Sequence, residues 1–427
     1  MRRRQAFANV GRVNPMLALA LVAIAGIAAT RLPWQSWRRS PNRDLVLATG
    51  LPLVLTGVLL GPGLGVLDGA LLRALAPVTA LAIGWLGAVF GARLEWRVVR
   101  RISRVDWGLG TARAAVTFAL VALAAWSLSR ARPALGSAWA PTLPGLLTLG
   151  ALAVVSGPGA VAQTAQAAGI SRRGARACRL AATLDTLLGA LAFTLTLALY
   201  HPRVPVGGAT LGWLRWLALA SGSGVLVGML FLSLSRLRSG RDDLGLALSG
   251  VVLFGAGVGY AADLSPFVVC TLAAVVIVNL SPHRRRVQEL LLDWAHPIYA
   301  VILIIVGALL VLPTAWLLLA IPLLAAVGIA AKWGAARAAL RWLRVSGWPA
   351  NVGVATAASG GGEGEEGVAL ALALNFHLTF QGAGAGGILT TITLGVILAQ
   401  LAAPRLITRA RAPAPLTPPP QAPEVTG

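Results

Sequence analysis

Charge is what this chain has least of. Of its 427 residues only 12% are charged and 14 are acidic, and Lys332 is the one lysine among 36 basic residues. Two or three soluble domains, which this length would otherwise hold, could not be kept in water by so few charges. With 57% apolar residues and a mean hydropathy of +0.78, the composition is that of a polytopic membrane protein. Cysteine is scarce as well: Cys178 and Cys270 stand apart with no paired spacing, which argues against a disulfide framework and a thiolate metal site. The four histidines lack metal-ligand spacing, and no Ser/His/Asp arrangement or cofactor fingerprint occurs. Neither an enzyme, a cofactor nor a metal centre is therefore expected.

What is abundant is arginine, and it drives a net charge of +22. Nucleic-acid binding would call for aromatic residues interleaved with such a patch, or a recognisable motif, and neither is present, so no nucleic-acid partner is expected. The arginines fall instead between apolar runs near 15–30, 45–61, 75–92, 112–129, 143–168, 174–200, 210–235, 243–261, 264–280, 294–312, 314–343, 350–378 and 385–403. Roughly 20 apolar residues cross a bilayer, so these runs read as an all-α membrane fold of about 13 transmembrane helices. A signal peptide is the alternative for the first run, which follows Arg2 to Arg4.

Arginine-rich links alternate with arginine-poor ones. Arg31, Arg38, Arg39 and Arg43, then Arg93 to Arg104, Arg172 to Arg179 and Arg284 to Arg286 fall on one side, and the opposite links hold only Arg73, Arg130, Arg132 and Arg203. The positive-inside rule makes the rich side cytoplasmic, which places the N-terminus outside and the C-terminus inside, in a bacterial cell (inner) membrane. Arg2 to Arg4 and Arg12 run against that assignment. A polytopic membrane domain is expected over 1–403, with repeats at about 15–200 and 243–403, a linker helix at about 210–235, and a disordered Arg/Pro-rich tail over 404–427.

Two segments are interrupted in the same way. Ser156-Gly157-Pro158-Gly159 breaks the fifth, and Ser359-Gly360-Gly361-Gly362-Glu363-Gly364-Glu365-Glu366-Gly367 breaks the twelfth. At about 1.5 Å per residue, both interruptions fall near the middle of a hydrocarbon layer about 30 Å thick, where unpaired backbone survives only against protein or a watery cavity. If segments 1–6 and 8–13 are inverted copies, each break is the fifth helix of its copy. Corresponding interruptions in two halves mark the substrate site of secondary transporters. Glycine-mediated helix packing is the alternative.

Asp185 lies about eleven residues, or roughly 16 Å, from the inner end of its segment, at the bilayer centre. A carboxylate there costs at least about 2.5 kcal/mol on insertion scales, so it needs a partner or a task such as trading a proton for a cation. The alternative is a neutral Asp held by Thr183 or Thr186. Lys332 can lose a proton where arginine cannot, which suits a charge-balancing role beside Asp185; from the inner half of its segment it could instead snorkel to the interface. Glu363, Glu365 and Glu366 sit in the second break and at the start of the half-helix after it, where the dipole favours carboxylates. They would line an ion path or, equally, sit solvated. Asp44, Glu95, Asp106, Asp242, Asp243, Glu289 and Asp293 read as loop charges.

Over nearly its whole length the chain resembles the monovalent cation/proton antiporter superfamily, of the sodium/proton exchanger type. The resemblance rests on Thr56-Gly57 through Leu60-Gly61-Pro62, on Gly84-Trp85-Leu86-Gly87 before Gly91 and Glu95, and on Leu264-Ser265-Pro266 with Asn279-Leu280-Ser281-Pro282. Pro297-Ile298-Tyr299 ahead of Gly307-Ala308, and the run from Gly367 to Asn375, complete it. It implies two inverted-topology repeats with two crossed broken helices, a core domain moving against a dimerisation domain, and a homodimer. Asp185 matches the first residue of the family's Asn-Asp or Asp-Asp pair, and Thr186 stands where the family keeps its ion-binding Asp. Ser156 matches the family's Thr in the first break, Gly157 replaces a frequent Asp, and Lys332 resembles the lysine that pairs with the carboxylate in electrogenic members. The glutamates of the second break are unusual for the family.

The function this implies is exchange of a monovalent cation, Na⁺ or K⁺, for protons by alternating access, in the lipid bilayer. Asp185, Thr186 and Ser156 would form the cation/proton site, with Gly157, Pro158, Gly159, Gly360, Gly361 and Gly362 as broken-helix backbone. A non-transporting or sensory membrane protein derived from the same fold is the alternative, supported by the missing second acid.

Overall fold

The computed structural model describes residues 50–140, 142–157, 172–201, 205–206, 209–210, 212–237, 241–311, 314–343, 367–380 and 383–409. The first apolar run, most of both breaks, and Glu363, Glu365 and Glu366 with Gly360 to Gly362 lie outside them, as do Pro158 and Gly159. Within them the chain is helical apart from a two-residue antiparallel β pair at 205–206 and 209–210. The helices are α1 (Leu51–Val58, continued by a π-helical turn Leu59–Gly63), α2 (Gly69–Ala74), α3 (Ala76–Gly91), α4 (Trp96–Val99) and α5 (Arg104–Ala131). There follow α6 (Pro133–Ala138), α7 (Thr142–Val154), α8 (Arg172–Tyr200), α9 (Trp213–Leu237) and α10 (Arg241–Ala261). The last are α11 (Pro266–Leu280), α12 (Arg284–Leu309), α13 (Ala315–Leu343), α14 (Gly367–Thr379) and α15 (Ala383–Arg409).

Seven of these are long and apolar enough to cross a membrane, and five more are shorter apolar helices, so twelve of the expected segments have a counterpart. Several helices run past their apolar windows. Asp106 and Asp243, expected in loops, belong to the first turns of α5 and α10, where carboxylates suit the positive end of a helix, and Glu289 and Asp293 lie in the second and third turns of α12. Glu95 does lie in a link, 3.3 Å from Arg284. α15 likewise continues beyond 403, to Arg409.

Local signals fix the helix ends. Ser265 caps α11 by accepting from Val268 N, with Pro266 at the first helical position, where its missing N–H is harmless. Asn279, near the other end, accepts from Trp96 N at 2.7 Å and donates to Leu94 O at 3.1 Å, clamping the link after α3. These two motifs are therefore structural.

The helices form two packed groups. α5, α7, α8, α13 and α15 surround the first break, while α1, α3, α9, α10, α11 and α12 pack on one another, and α14 touches both α15 and α3. Lipid offers no hydrophobic drive between helices, so contact depends on close approach through small residues. A Cβ on Gly91 would lie 2.2 Å from Thr271 O, and one on Gly307 would lie 2.2 Å from Val54 O, so α3–α11 and α1–α12 meet backbone to backbone. Outward positions such as Leu226, Leu246 and Leu319 are exposed to where acyl chains would lie.

Because the obstruction at Gly91 is backbone, Gly91→Ala is expected to force α3 from α11 and cost about 1–3 kcal/mol, as overpacking does. The check is melting temperature in detergent, beside Gly108→Ala, which has open space around it. Equal melting of both variants would contradict the close-contact account.

Candidate functional site

Pro158 dictates where α7 stops. It has no N–H to give and disfavours helical geometry at Gly157, so the chain leaves the helix after Val154. The last carbonyls of a helix have no backbone partner, and inside a membrane no water replaces one. Side chains from two other helices supply the donors. Lys332 Nζ donates to Val155 O at 3.2 Å, and the Thr186 hydroxyl donates to Ser156 O, while Thr186 Oγ1 also lies 2.8 Å from Ala182 O. Lys332 therefore sits at the negative end of α7, where a cation is favoured.

Asp185 stands beside this break, next to the midpoint of α8, with only 1% of its surface exposed. Its Oδ1 accepts from Arg113 Nε at 3.1 Å and from Arg113 Nη2 at 2.7 Å, and its Oδ2 accepts from Ser156 Oγ at 3.2 Å. Arg113 Nη2 also reaches Ala181 O, one turn back on α8, at 2.9 Å. Ser156 Oγ in turn accepts from Lys332 Nζ at 2.8 Å. A continuous chain, Arg113 to Asp185 to Ser156 to Lys332, thus links α5, α8, the break and α13. Arg113 is 3% and Lys332 5% exposed. Two bases face one acid here among the described residues, and the carboxylate has hydrogen-bond partners on both oxygens.

Asp185, Thr186, Ser156 and Lys332 are brought together, and Gly157 is buried among them. Two alternatives fall away and one detail differs from expectation. Lys332 does not snorkel; it is drawn inward by orphaned carbonyls. It also reaches Asp185 through Ser156 rather than directly. Neither Thr183 nor Thr186 bonds the Asp185 carboxylate: Thr183 Oγ1 turns to Arg179 O at 2.9 Å, and Thr186 secures the break instead.

The residue that sequence reasoning missed is Arg113. It sits at the edge of the apolar run 112–129, where an arginine looks like a flank. The signal that could have found it is Ser103-Arg104-Val105-Asp106: Ser103 Oγ accepts from Asp106 N at 3.0 Å and donates to the Asp106 carboxylate at 2.8 Å, a reciprocal N-cap. A helix starting there carries Arg113 about 14 Å inward, into the membrane.

Removing one partner of a buried pair leaves an uncompensated charge, which costs about 3–5 kcal/mol. Arg113→Leu should therefore lower the melting temperature sharply, and the double variant with Asp185→Leu should recover most of the loss. A double variant no more stable than Arg113→Leu would refute the pairing.

No protein-family model matches the sequence, and a search of curated proteins gives no match. Solved structures do match. One is the sodium proton antiporter MjNhaP1 from Methanocaldococcus jannaschii at pH 8, with a TM-score of 0.63 at 16% identity, over 92% of this chain and 98% of that one. An electron-microscopy map of the same antiporter gives a TM-score of 0.59 at 15% identity, over 93% and 99%. This chain is an all-α, multi-pass membrane protein with the fold of a sodium/proton antiporter.

Proposed function

We propose that the protein is a secondary transporter that exchanges Na⁺ or K⁺ for protons at Asp185 by alternating access. The observation that carries this reading is a carboxylate, 1% exposed at the middle of a spanning helix, hydrogen-bonded to the unwound stretch of another helix and flanked by two bases. Such intramembrane acids are costly and belong to ion or proton pathways. The fold shared with a sodium proton antiporter supports the same class of cargo.

Arg113 occupies Oδ1, so Oδ2 is the oxygen open to exchange. A dehydrated cation would bind Oδ2, Ser156 Oγ and the Thr186 hydroxyl, together with carbonyls freed at the break. Its arrival would crowd three positive charges around one negative one. Release of a proton from Lys332 restores the balance, and rebinding of that proton expels the cation. Arg113 stays charged throughout, since a guanidinium does not give up its proton. Alternation would move α5, α7, α8, α13 and α15 as a core against the other helices, with inverted repeats supplying the two-sided access and a second copy of the chain bracing the scaffold.

A second reading is favoured by the two hydrogen bonds from Arg113 to Oδ1 of Asp185 together with Thr186 in the place of an acid. In it the site is locked, and the protein is a non-transporting sensor built on the same fold.

Proton flux in proteoliposomes driven by Na⁺, K⁺ or Li⁺ separates the two. Exchange that disappears in Asp185→Asn supports the transporter, and flux at the wild-type level in that variant refutes the role of Asp185. Flat flux for every cation with a folded wild type supports the sensor. Lys332→Arg keeps the positive charge but not the releasable proton, so it is expected to fold and to lose proton-coupled exchange; undiminished coupling would remove Lys332 from the mechanism.

A further inference from the structure

A cavity of about 410 Å³ opens at the arginine-rich end of the molecule, between α8 on one side and α3, α12 and the link after α3 on the other. Arginine dominates its charged lining. Arg93 comes from the link after α3, and Arg176 and Arg179 come from one face of α8, three residues apart. Glu95 is the one carboxylate among the described lining residues, and it is in an ion pair with Arg284 at 3.3 Å. Gln288 closes the rim, donating to Ala92 O at 2.8 Å. The cavity reaches inward to Leu184, the residue next to Asp185.

The positive-inside rule accounts for arginines at this end but not for three of them turned into one concave space. Their field opposes an entering cation and favours an anion. Guanidinium groups present planar forks that match the oxygens of phosphate, and a cavity this size holds more than a single phosphate group.

We propose that this vestibule is a binding site for a phosphate-type oxyanion, held by Arg176 and Arg179. The same chemistry is offered by a soluble phosphate compound and by the headgroup of an acidic phospholipid. Binding is read without flux, so its failure leaves the exchanger reading untouched.

The test uses the full chain, delipidated in non-ionic detergent and titrated calorimetrically with inorganic pyrophosphate, and in parallel the chain in nanodiscs of phosphatidylcholine with or without phosphatidylglycerol, read by thermal stabilisation. Arg176 and Arg179 are exposed, so Arg176→Gln with Arg179→Gln is expected to fold, and it should weaken binding by about tenfold or more. Arg100→Gln with Arg101→Gln removes the same charge outside the cavity and should bind as the wild type does. Pyrophosphate binding that is lost in the first pair alone supports a soluble ligand. Stabilisation by phosphatidylglycerol alone, lost in the same pair, supports the lipid headgroup. Absence of both effects, or equal weakening in both pairs, overturns the proposal.

Discussion

Backbone carbonyls released at the end of α7 have no water to turn to, and the arrangement of the interior follows from that constraint. Lys332 and Thr186 converge because each helps to satisfy a helix end that stops inside the membrane, and Ser156 joins them by accepting from Lys332. An unwound stretch in hydrocarbon would be prohibitive alone. Here it becomes the place where α8 and α13 are held, and the polar side chains it recruits are the ones a cation site requires. The stabilising contacts and the candidate chemistry are the same atoms.

Asp185 completes this arrangement at a different energetic level. Its carboxylate would be intolerable at 1% exposure without the two bonds from Arg113, and Arg113 would be equally out of place without the carboxylate and Ala181 O. Such a pair gives little net stability compared with an apolar core. Its presence in a chain that has only 14 acidic residues argues for a task other than holding helices together.

Much of this was legible in the sequence, for physical reasons that can be named. Apolar runs set by bilayer thickness locate helices well, and a Gly-Pro-Gly interruption or a mid-segment Asp stands out against such a background. Asp185 and Ser156 stand out that way, and Lys332 stands out as the one lysine among 36 basic residues. Arg113 was not, because at the edge of an apolar run a buried arginine and an interfacial one are spelled alike; only the cap at Ser103 tells them apart. The charges of Asp243, Glu289 and Asp293 were assigned to loops because hydropathy reports where lipid ends rather than where helices do. Thr186 serves the backbone at the break through its hydroxyl, a contact that depends on how α7 and α8 lie side by side.

Arg113 bonds both Asp185 and the carbonyl of Ala181, four residues earlier on the same helix. Gripping two successive levels of α8, it acts as a rivet more than a hinge pin: neither rotation nor sliding of α8 past α5 is compatible with both contacts. A rearrangement that carries the carboxylate toward one face of the bilayer must then haul α5 along as ballast, or first tear the rivet out.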